Sequence, residues 1–181
     1  MNAYTINWIL LLLLSAIWGG AFTLNKYALQ AYNPEILVTG RLLVAAIVLV
    51  IFVLIFFKKV EIKASDWKYY LFMSVIGIVA PFLLISYGQM GIDSSLAGIL
   101  MSTMPISTLI LSHFFLDDEK MTKMKLIGFI IAFIGIVILI MPGKAALEIS
   151  LIDGLYSEFM VISGAILYSF AAVYGKRYKI T

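Results

Sequence analysis

The chain has 181 residues, of which 63% are hydrophobic and 13% are charged, and its mean hydropathy is +1.06. A water-soluble globular domain is nearer half apolar and a quarter charged, so this composition excludes a soluble domain and indicates a lipid bilayer as the solvent. The absence of cysteine and the single histidine exclude disulfides and thiolate or histidine-rich metal sites, and a net charge of +3 is too small to indicate a nucleic-acid partner.

Six apolar runs in the sequence are long enough to cross a membrane. A spanning helix needs about 20 apolar residues, because it rises 1.5 Å per residue through a hydrocarbon core of about 30 Å. We therefore predict an all-α fold, a polytopic integral membrane helix bundle. Its six transmembrane helices are expected over residues 8–28, 35–57, 69–88, 94–116, 124–141 and 155–174. The first run is not read as a signal peptide, because no Lys or Arg precedes it and its apolar stretch is long.

The basic residues predict the orientation of these helices. Lys and Arg accumulate in the short loops that stay in the cytoplasm. Ten of the 13 fall on one side of the predicted membrane: Lys58, Lys59, Lys63, Lys68, Lys120, Lys123, Lys125, Lys176, Arg177 and Lys179. The opposite side has Lys144. We therefore predict a multi-pass protein of the bacterial inner (plasma) membrane with a cytoplasmic N-terminus.

Two prolines lie near the middle of predicted helices. Pro81 and Pro105 each remove one backbone hydrogen bond, so both are expected to kink their helices. Helices interrupted at the bilayer midplane are typical of transporters. The alternative is a static kink in a packed bundle.

The first two predicted helices contain an aromatic residue and two cations at unusual depth. Trp18 lies near the midplane, where tryptophan is uncommon, and lines either a cavity or a packed seam. Lys26 lies close to a helix end, where its long side chain can reach the interface, and the alternative is a functional role. Arg41 lies about two turns inside its helix, and we expect it to pair with one of three acidic residues: Glu35, Asp93 or Glu158.

Small residues at intervals of three or four predict helix packing faces. They occur at Ser15, Gly19 and Thr23 in the first helix and at Gly128, Ala132 and Gly135 in the fifth. Neutral hydrogen-bonding groups also occur within helices, at Asn25, Tyr87, Gln89 and Ser102. Motifs for phosphate-binding loops, zinc proteases and nucleophile elbows are absent, so we predict no enzyme, no cofactor and no metal site.

Four stretches of the sequence, in order, resemble the EamA-type transporters of the drug/metabolite transporter superfamily. They read SAIWGGAFTLNKYAL from Ser15, PEILVTGRLLVAA from Pro34, YGQMGIDSSLAGILMSTMPISTLILSHFFLDDEKMT from Tyr87, and KLIGFIIAFIGIVIL from Lys125. Pro105 takes the place of the family's helix-four proline and Glu119 that of the acidic residue before helix five. The resemblance covers one five-helix repeat, and DGLYSEFMVISGAILYSFAAVYGKRYK from Asp153 is similar to the opening of a second.

The resemblance implies a ten-helix transporter built from two inverted repeats. Residues 8–141 would form the first five-helix repeat, 142–154 an extracytoplasmic connector, and 155–181 the first helix of a truncated second repeat. The implied function is secondary transport by alternating access, with export of metabolites or drugs. The substrate pathway is expected to include seven residues: Trp18, Asn25, Lys26, Arg41, Tyr87, Gln89 and Ser102.

The expected partners are the lipid bilayer, a small-molecule solute, and either a second copy of the chain or a missing second half. An alternative is a membrane assembly or scaffold subunit, or a half-transporter that needs a partner chain. A scaffold has no use for midplane prolines and central polar groups, so the sequence favours the transporter.

Overall fold

The computed structural model describes residues 2–57, 63–140 and 151–178 as eight α-helices joined by short turns. The helices are α1 (Ala3–Ala28), α2 (Pro34–Phe56), α3 (Trp67–Ser74), α4 (Ala80–Gly91), α5 (Ser94–Met101), α6 (Thr103–Phe115), α7 (Lys123–Ile140) and α8 (Leu151–Arg177). A single 3₁₀ turn, Ala64–Asp66, precedes α3. Residues 142–150 of the predicted extracytoplasmic connector, with Lys144, lie outside the described residues, as do Lys58, Lys59 and Lys179.

Five stretches of these helices are long and apolar enough to cross a membrane: Tyr4–Ala28, Pro34–Phe56, Trp67–Gly91, Ser94–Phe115 and Gly154–Arg177. The 18-residue α7 coincides with the predicted fifth segment. The all-α, polytopic membrane fold expected from the sequence is therefore confirmed. The boundaries differ mainly at α1 and α8, which begin five and four residues earlier than residues 8 and 155.

The third and fourth spans are interrupted next to the two midplane prolines. A π-helical turn, Val75–Val79, joins α3 to α4, and Pro81 is the second residue of α4. The fourth span breaks at Ser102, three residues before Pro105. Side-chain hydroxyls bind carbonyls around this break. Thr103 Oγ1, for example, donates to the Leu100 carbonyl oxygen at 2.7 Å. In lipid such local donors replace the water that would otherwise bind these carbonyls.

Helix α8 forms the centre of the bundle and packs mainly against α4 and α6. The buried core around it contains seven residues: Ile85, Ile92, Ala97, Leu100, Met101, Val161 and Ala165. Ser169 is fully buried, and its single hydroxyl proton is shared between the carbonyl of Met104 in α6, 2.8 Å from Oγ, and that of Ala165, 2.9 Å away. A helix expected to open the second repeat is therefore packed among helices of the first.

Two glycines allow α4 and α8 to approach each other closely. A Cβ atom at Gly88 would lie 2.6 Å from the Ser157 carbonyl oxygen and 2.6 Å from a methyl group of Val161. At Gly164 it would lie 2.9 Å from the Ile85 side chain and 3.2 Å from the Pro81 carbonyl oxygen. Small residues at such crossings are how membrane helices gain packing contacts.

The faces predicted from the spacing of small residues do not approach another helix closely, unlike those at Gly88 and Gly164. A Cβ atom at Gly19, Gly128 or Gly135 would meet no heavy atom of a neighbouring element within 4 Å. Among the described residues, the expectation that these glycines form packing contacts is therefore wrong. The reason is that regular spacing marks a face of a helix but does not specify which helix lies opposite.

The end of α8 and the α6–α7 loop, which the basic residues assign to the same side of the membrane, lie at the same end of the bundle. Lys176 near the end of α8 binds Asp118 at 2.9 Å and Glu119 at 2.5 Å in the α6–α7 loop. In the same loop, His113 Nδ1 accepts a hydrogen bond from the Met121 amide at 3.0 Å. Two of the basic clusters therefore lie at one end of the bundle.

Candidate functional site

A buried group of amides connects α1 with α4 at the end of the bundle where α1 ends and α2 begins. Asn25 Nδ2 donates to Gln89 Oε1 at 2.6 Å and to Ser86 Oγ at 3.4 Å. Gln89 Nε2 donates in turn to the Phe22 carbonyl at 3.0 Å. Gln89 is 0% exposed and Ser86 is 2% exposed, so these bonds are sheltered from lipid and water. We call Asn25, Ser86 and Gln89 the amide cluster.

Lys26 of α1 forms hydrogen bonds with the last turn of α4. Its ammonium group donates to the carbonyl oxygens of Gln89 at 2.7 Å and Met90 at 3.3 Å. The last carbonyls of a helix have no partner within the helix and carry the negative end of its dipole, so a cation there is favourable. This contact gives Lys26 a structural role in place of simple extension to the interface.

Arg41 lies over an aromatic ring. Its guanidinium carbon is 4.3 Å from the centroid of the Phe82 ring, a cation–π contact between α2 and α4. Within residues 2–57, 63–140 and 151–178, no carboxylate lies within 4.0 Å of this guanidinium. The structure thus differs from the expected ion pair. Glu35 accepts a hydrogen bond from the Tyr87 hydroxyl instead, about two helical turns from Arg41.

Two neighbouring cavities meet at Arg41. The smaller, of about 30 Å³, lies among α1, α2, α4, α5 and α8 and is lined by the amide cluster with Trp18, Ala21, Phe22, Arg41, Phe82, Ile85, Met101 and Tyr168. The larger is an open groove of about 660 Å³ between α1 and α2, which we call the α1–α2 groove. Its lining consists of Ala21, Leu24, Asn25, Ala28, Tyr32, Ile36, Leu37, Gly40, Arg41 and Val44. Ala21, Asn25 and Arg41 line both spaces.

The structure brings four of the seven predicted pathway residues to these cavities: Trp18, Asn25, Arg41 and Gln89. Lys26 is next to them through its contact with Gln89. Tyr87 and Ser102 line neither space. Tyr87 binds Glu35, and the exposed Ser102 donates to the carbonyl of Ile99 in its own span.

Phe82 and Ser86 line the smaller cavity but were not among the residues predicted from the sequence. Ser86 could have been found from its spacing, because residues three apart share a helix face and Gln89 follows Ser86 by three. Phe82 follows Pro81 directly, but its approach to Arg41 depends on how α2 packs against α4. Among the described residues, no group of three or more His, Asp and Glu side chains is placed to hold a metal ion.

A bundle of apolar spanning helices with a polar cavity among them is an integral membrane protein. Residues 6–141 match the family model described as the EamA-like transporter family. The chain belongs to this family. The EamA-type family membership expected from the sequence is thereby confirmed.

The matching relatives are themselves named as transporters in most cases. The chain is 32% identical over 139 residues to an uncharacterized transporter of Archaeoglobus fulgidus, covering 77% of this chain and 49% of that protein. It is 29% identical over 160 residues to the uncharacterized transporter YoaV of Bacillus subtilis, covering 88% and 53%. Protein PagO of Salmonella typhimurium is 29% identical over 124 residues, with 68% and 40% covered. No solved structure matches.

The chain therefore spans about half the length of the curated relatives it matches. The family match covers the first five spans, and α8 follows it.

Proposed function

We propose that this chain forms the first part of a secondary transporter that exports small metabolites or drugs by alternating access. The observation that carries the proposal is the smaller cavity, which is lined by α1, α2, α4, α5 and also by α8. Residues 8–141 would be the first repeat and α8 the first helix of an inverted second repeat. At Arg41 this cavity adjoins the α1–α2 groove of about 660 Å³, which is large enough to hold a solute while the repeats rock against each other.

Three further features support this proposal. The interruptions at Val75–Val79 and Ser102 are local breaks at which spans can bend. Contacts at each end of the bundle, Tyr87 with Glu35 and Lys176 with Asp118 and Glu119, join elements that must separate if that end opens. The sequence has no ATP-binding motif, so an existing gradient would supply the energy. We expect a second half, in the same or another chain, to complete the pathway, since the matched relatives are about twice as long as the aligned region.

Trp18 provides the test of transport. It is 48% exposed and lines the smaller cavity, so replacing it changes the cavity wall without removing a buried core contact. We expect overproduction of the complete transporter to enrich at least one small solute in the growth medium, measured by mass spectrometry against an empty vector. Trp18→Ala should reduce that enrichment at least fivefold at equal protein abundance on immunoblots.

The matched control is Ser15→Ala, because Ser15 lines neither cavity and its exposed hydroxyl binds the Leu11 carbonyl of its own helix. This variant should export as well as the unmodified protein. A medium that is identical with and without the protein, or equal export by Trp18→Ala, contradicts the proposal and favours the scaffold alternative.

The proposed orientation places the N-terminus in the cytoplasm of a bacterial cell. Because the sequence has no cysteine, a single introduced cysteine reports its own location without background. We expect a membrane-impermeant maleimide to label Asp93→Cys in intact cells, since Asp93 lies exposed between α4 and α5. Lys123→Cys, at the start of α7, should be labelled only after the cells are permeabilised. The reverse labelling pattern contradicts this orientation.

A further inference from the structure

Arg41 is a membrane-embedded cation whose charge no described carboxylate neutralises. It lies seven residues from Pro34 at the start of α2, about 10 Å along the helix axis. A charged side chain at such depth is costly and usually pairs with another charge or faces a water-filled cavity. Within 2–57, 63–140 and 151–178, the guanidinium contacts the face of Phe82 and no acidic group within 4.0 Å. The ring contact leaves the N–H groups of Arg41 without a carboxylate partner among the described residues.

The space beside Arg41 has the size and chemistry of a small-molecule site. The α1–α2 groove has a volume of about 660 Å³, within the range of about 300–1,000 Å³ that is usual for ligand pockets. Its lining is apolar apart from Asn25, Tyr32 and Arg41. An apolar wall with one cation fits a molecule that has an apolar body and one anionic group.

The position of Arg41 at the junction of the two cavities defines where the anionic group would lie. Arg41 and Asn25 line both the α1–α2 groove and the smaller cavity, and Tyr168 of α8 lines the smaller one. The guanidinium presents parallel N–H donors whose spacing matches the two oxygens of a carboxylate. A carboxylate bound there would contact Arg41 and Asn25 while the apolar body of the molecule stays in the α1–α2 groove.

From these observations we infer that Arg41 recognises the carboxylate of an anionic solute whose apolar body occupies the α1–α2 groove. The inference rests on the proposed transport function and specifies its substrate class. It differs from a structural ion pair, in which Arg41 would bind an acidic residue of the second half of the transporter and have no preference among solutes.

Binding of matched carboxylate and amide probes tests this inference. The complete transporter, reconstituted in nanodiscs of phosphatidylcholine, contains no anionic lipid that could occupy the site. The probes are 3-phenylpropionate, octanoate and indole-3-acetate, each beside its neutral amide, and the readout is the dissociation constant from microscale thermophoresis. We expect at least one carboxylate to bind at least tenfold more tightly than its amide. Arg41→Gln should abolish this preference, and Arg41→Lys should retain part of it.

Lys68→Gln is the matched control, because Lys68 also lies over an aromatic ring, 5.9 Å from the Trp67 centroid, but lines neither cavity. It should keep the preference for carboxylates. The inference is overturned if no carboxylate binds better than its amide, or if Arg41→Gln keeps the preference. It is also overturned if adding phosphatidylglycerol to the nanodiscs abolishes carboxylate binding in the unmodified protein, since the site then holds a lipid headgroup.

These results separate this inference from the proposed function. Export of a neutral or cationic solute that depends on Trp18 but not on Arg41 would support transport and contradict the carboxylate site. Selective carboxylate binding without any export would support the site and contradict transport.

Discussion

Gly88→Ala is expected to destabilise the protein by about 1–3 kcal/mol, because the added methyl group has no space between α4 and α8. The Cβ atom would lie 2.6 Å from the Ser157 carbonyl oxygen and 3.3 Å from the Val161 amide nitrogen. Both are backbone atoms, which cannot rotate away as a side chain can. The two helices must separate, and this loosens the contacts of Val161 and Ala165, which are fully buried. The free energy of unfolding, measured by titration with SDS in mixed micelles, gives the loss directly.

Gly128→Ala is the control for this substitution. A Cβ atom at Gly128 meets nothing within 4 Å, and alanine is favoured over glycine in helices by about 0.5–1 kcal/mol. The control should therefore leave stability unchanged or raise it. If Gly88→Ala unfolds at the same SDS fraction as Gly128→Ala, the close approach of α4 and α8 is incorrect.

Gln89→Met is expected to cost a similar amount, about 1–3 kcal/mol, for a different reason. Methionine is close to glutamine in size and fills the same space, but it cannot accept the hydrogen bond of Asn25 or donate to the Phe22 carbonyl. The buried amide of Asn25 then keeps only its weak contact with Ser86 at 3.4 Å. Buried polar groups that lose their partners carry the full cost of having left water.

The same SDS titration measures this effect, with Ser102→Ala as the control. The Ser102 hydroxyl is exposed and binds a carbonyl in its own span, so its removal should change stability by less than about 0.5 kcal/mol. A second measurement reports the loss of structure without a transport assay. Purified Gln89→Met should elute from a sizing column with more aggregate than the control. Equal stability of Gln89→Met and the unmodified protein would show that the amide cluster does not hold α1 to α4.

The spans could be predicted from the sequence because each is set by a local property. About 20 apolar residues between charges or turn residues define a membrane helix whatever surrounds it. The interruptions near Pro81 and Pro105 are also local, because proline lacks the N–H of the helical bond. The family resemblance adds the order of the helices, which the match over residues 6–141 supports.

The packing of the spans could not be predicted, because it depends on which faces meet. Gly128 and Gly135 stand at a suggestive spacing and pack against nothing described, whereas the isolated Gly88 and Gly164 lie at the closest helix crossing. Gln89 was expected to line a substrate pathway; it lines the smaller cavity, and both ends of its amide bind protein groups. Its bonds to Asn25 and Phe22 join residues 64 and 67 positions apart in the chain, a distance over which hydropathy carries no information.

The central place of α8 has a consequence for biosynthesis. The Met104 carbonyl that binds Ser169 is made 65 residues before its partner. At about 5–20 residues per second, the ribosome needs roughly 3–13 s to supply the missing helix. During that interval α4 and α6 are already synthesised. The helix face around Gly88 and the carbonyl of Met104, which α8 later covers, are still without their partners. The insertion machinery or the surrounding lipid must therefore cover these surfaces of α4 and α6 for seconds in every round of translation, until α8 packs against them.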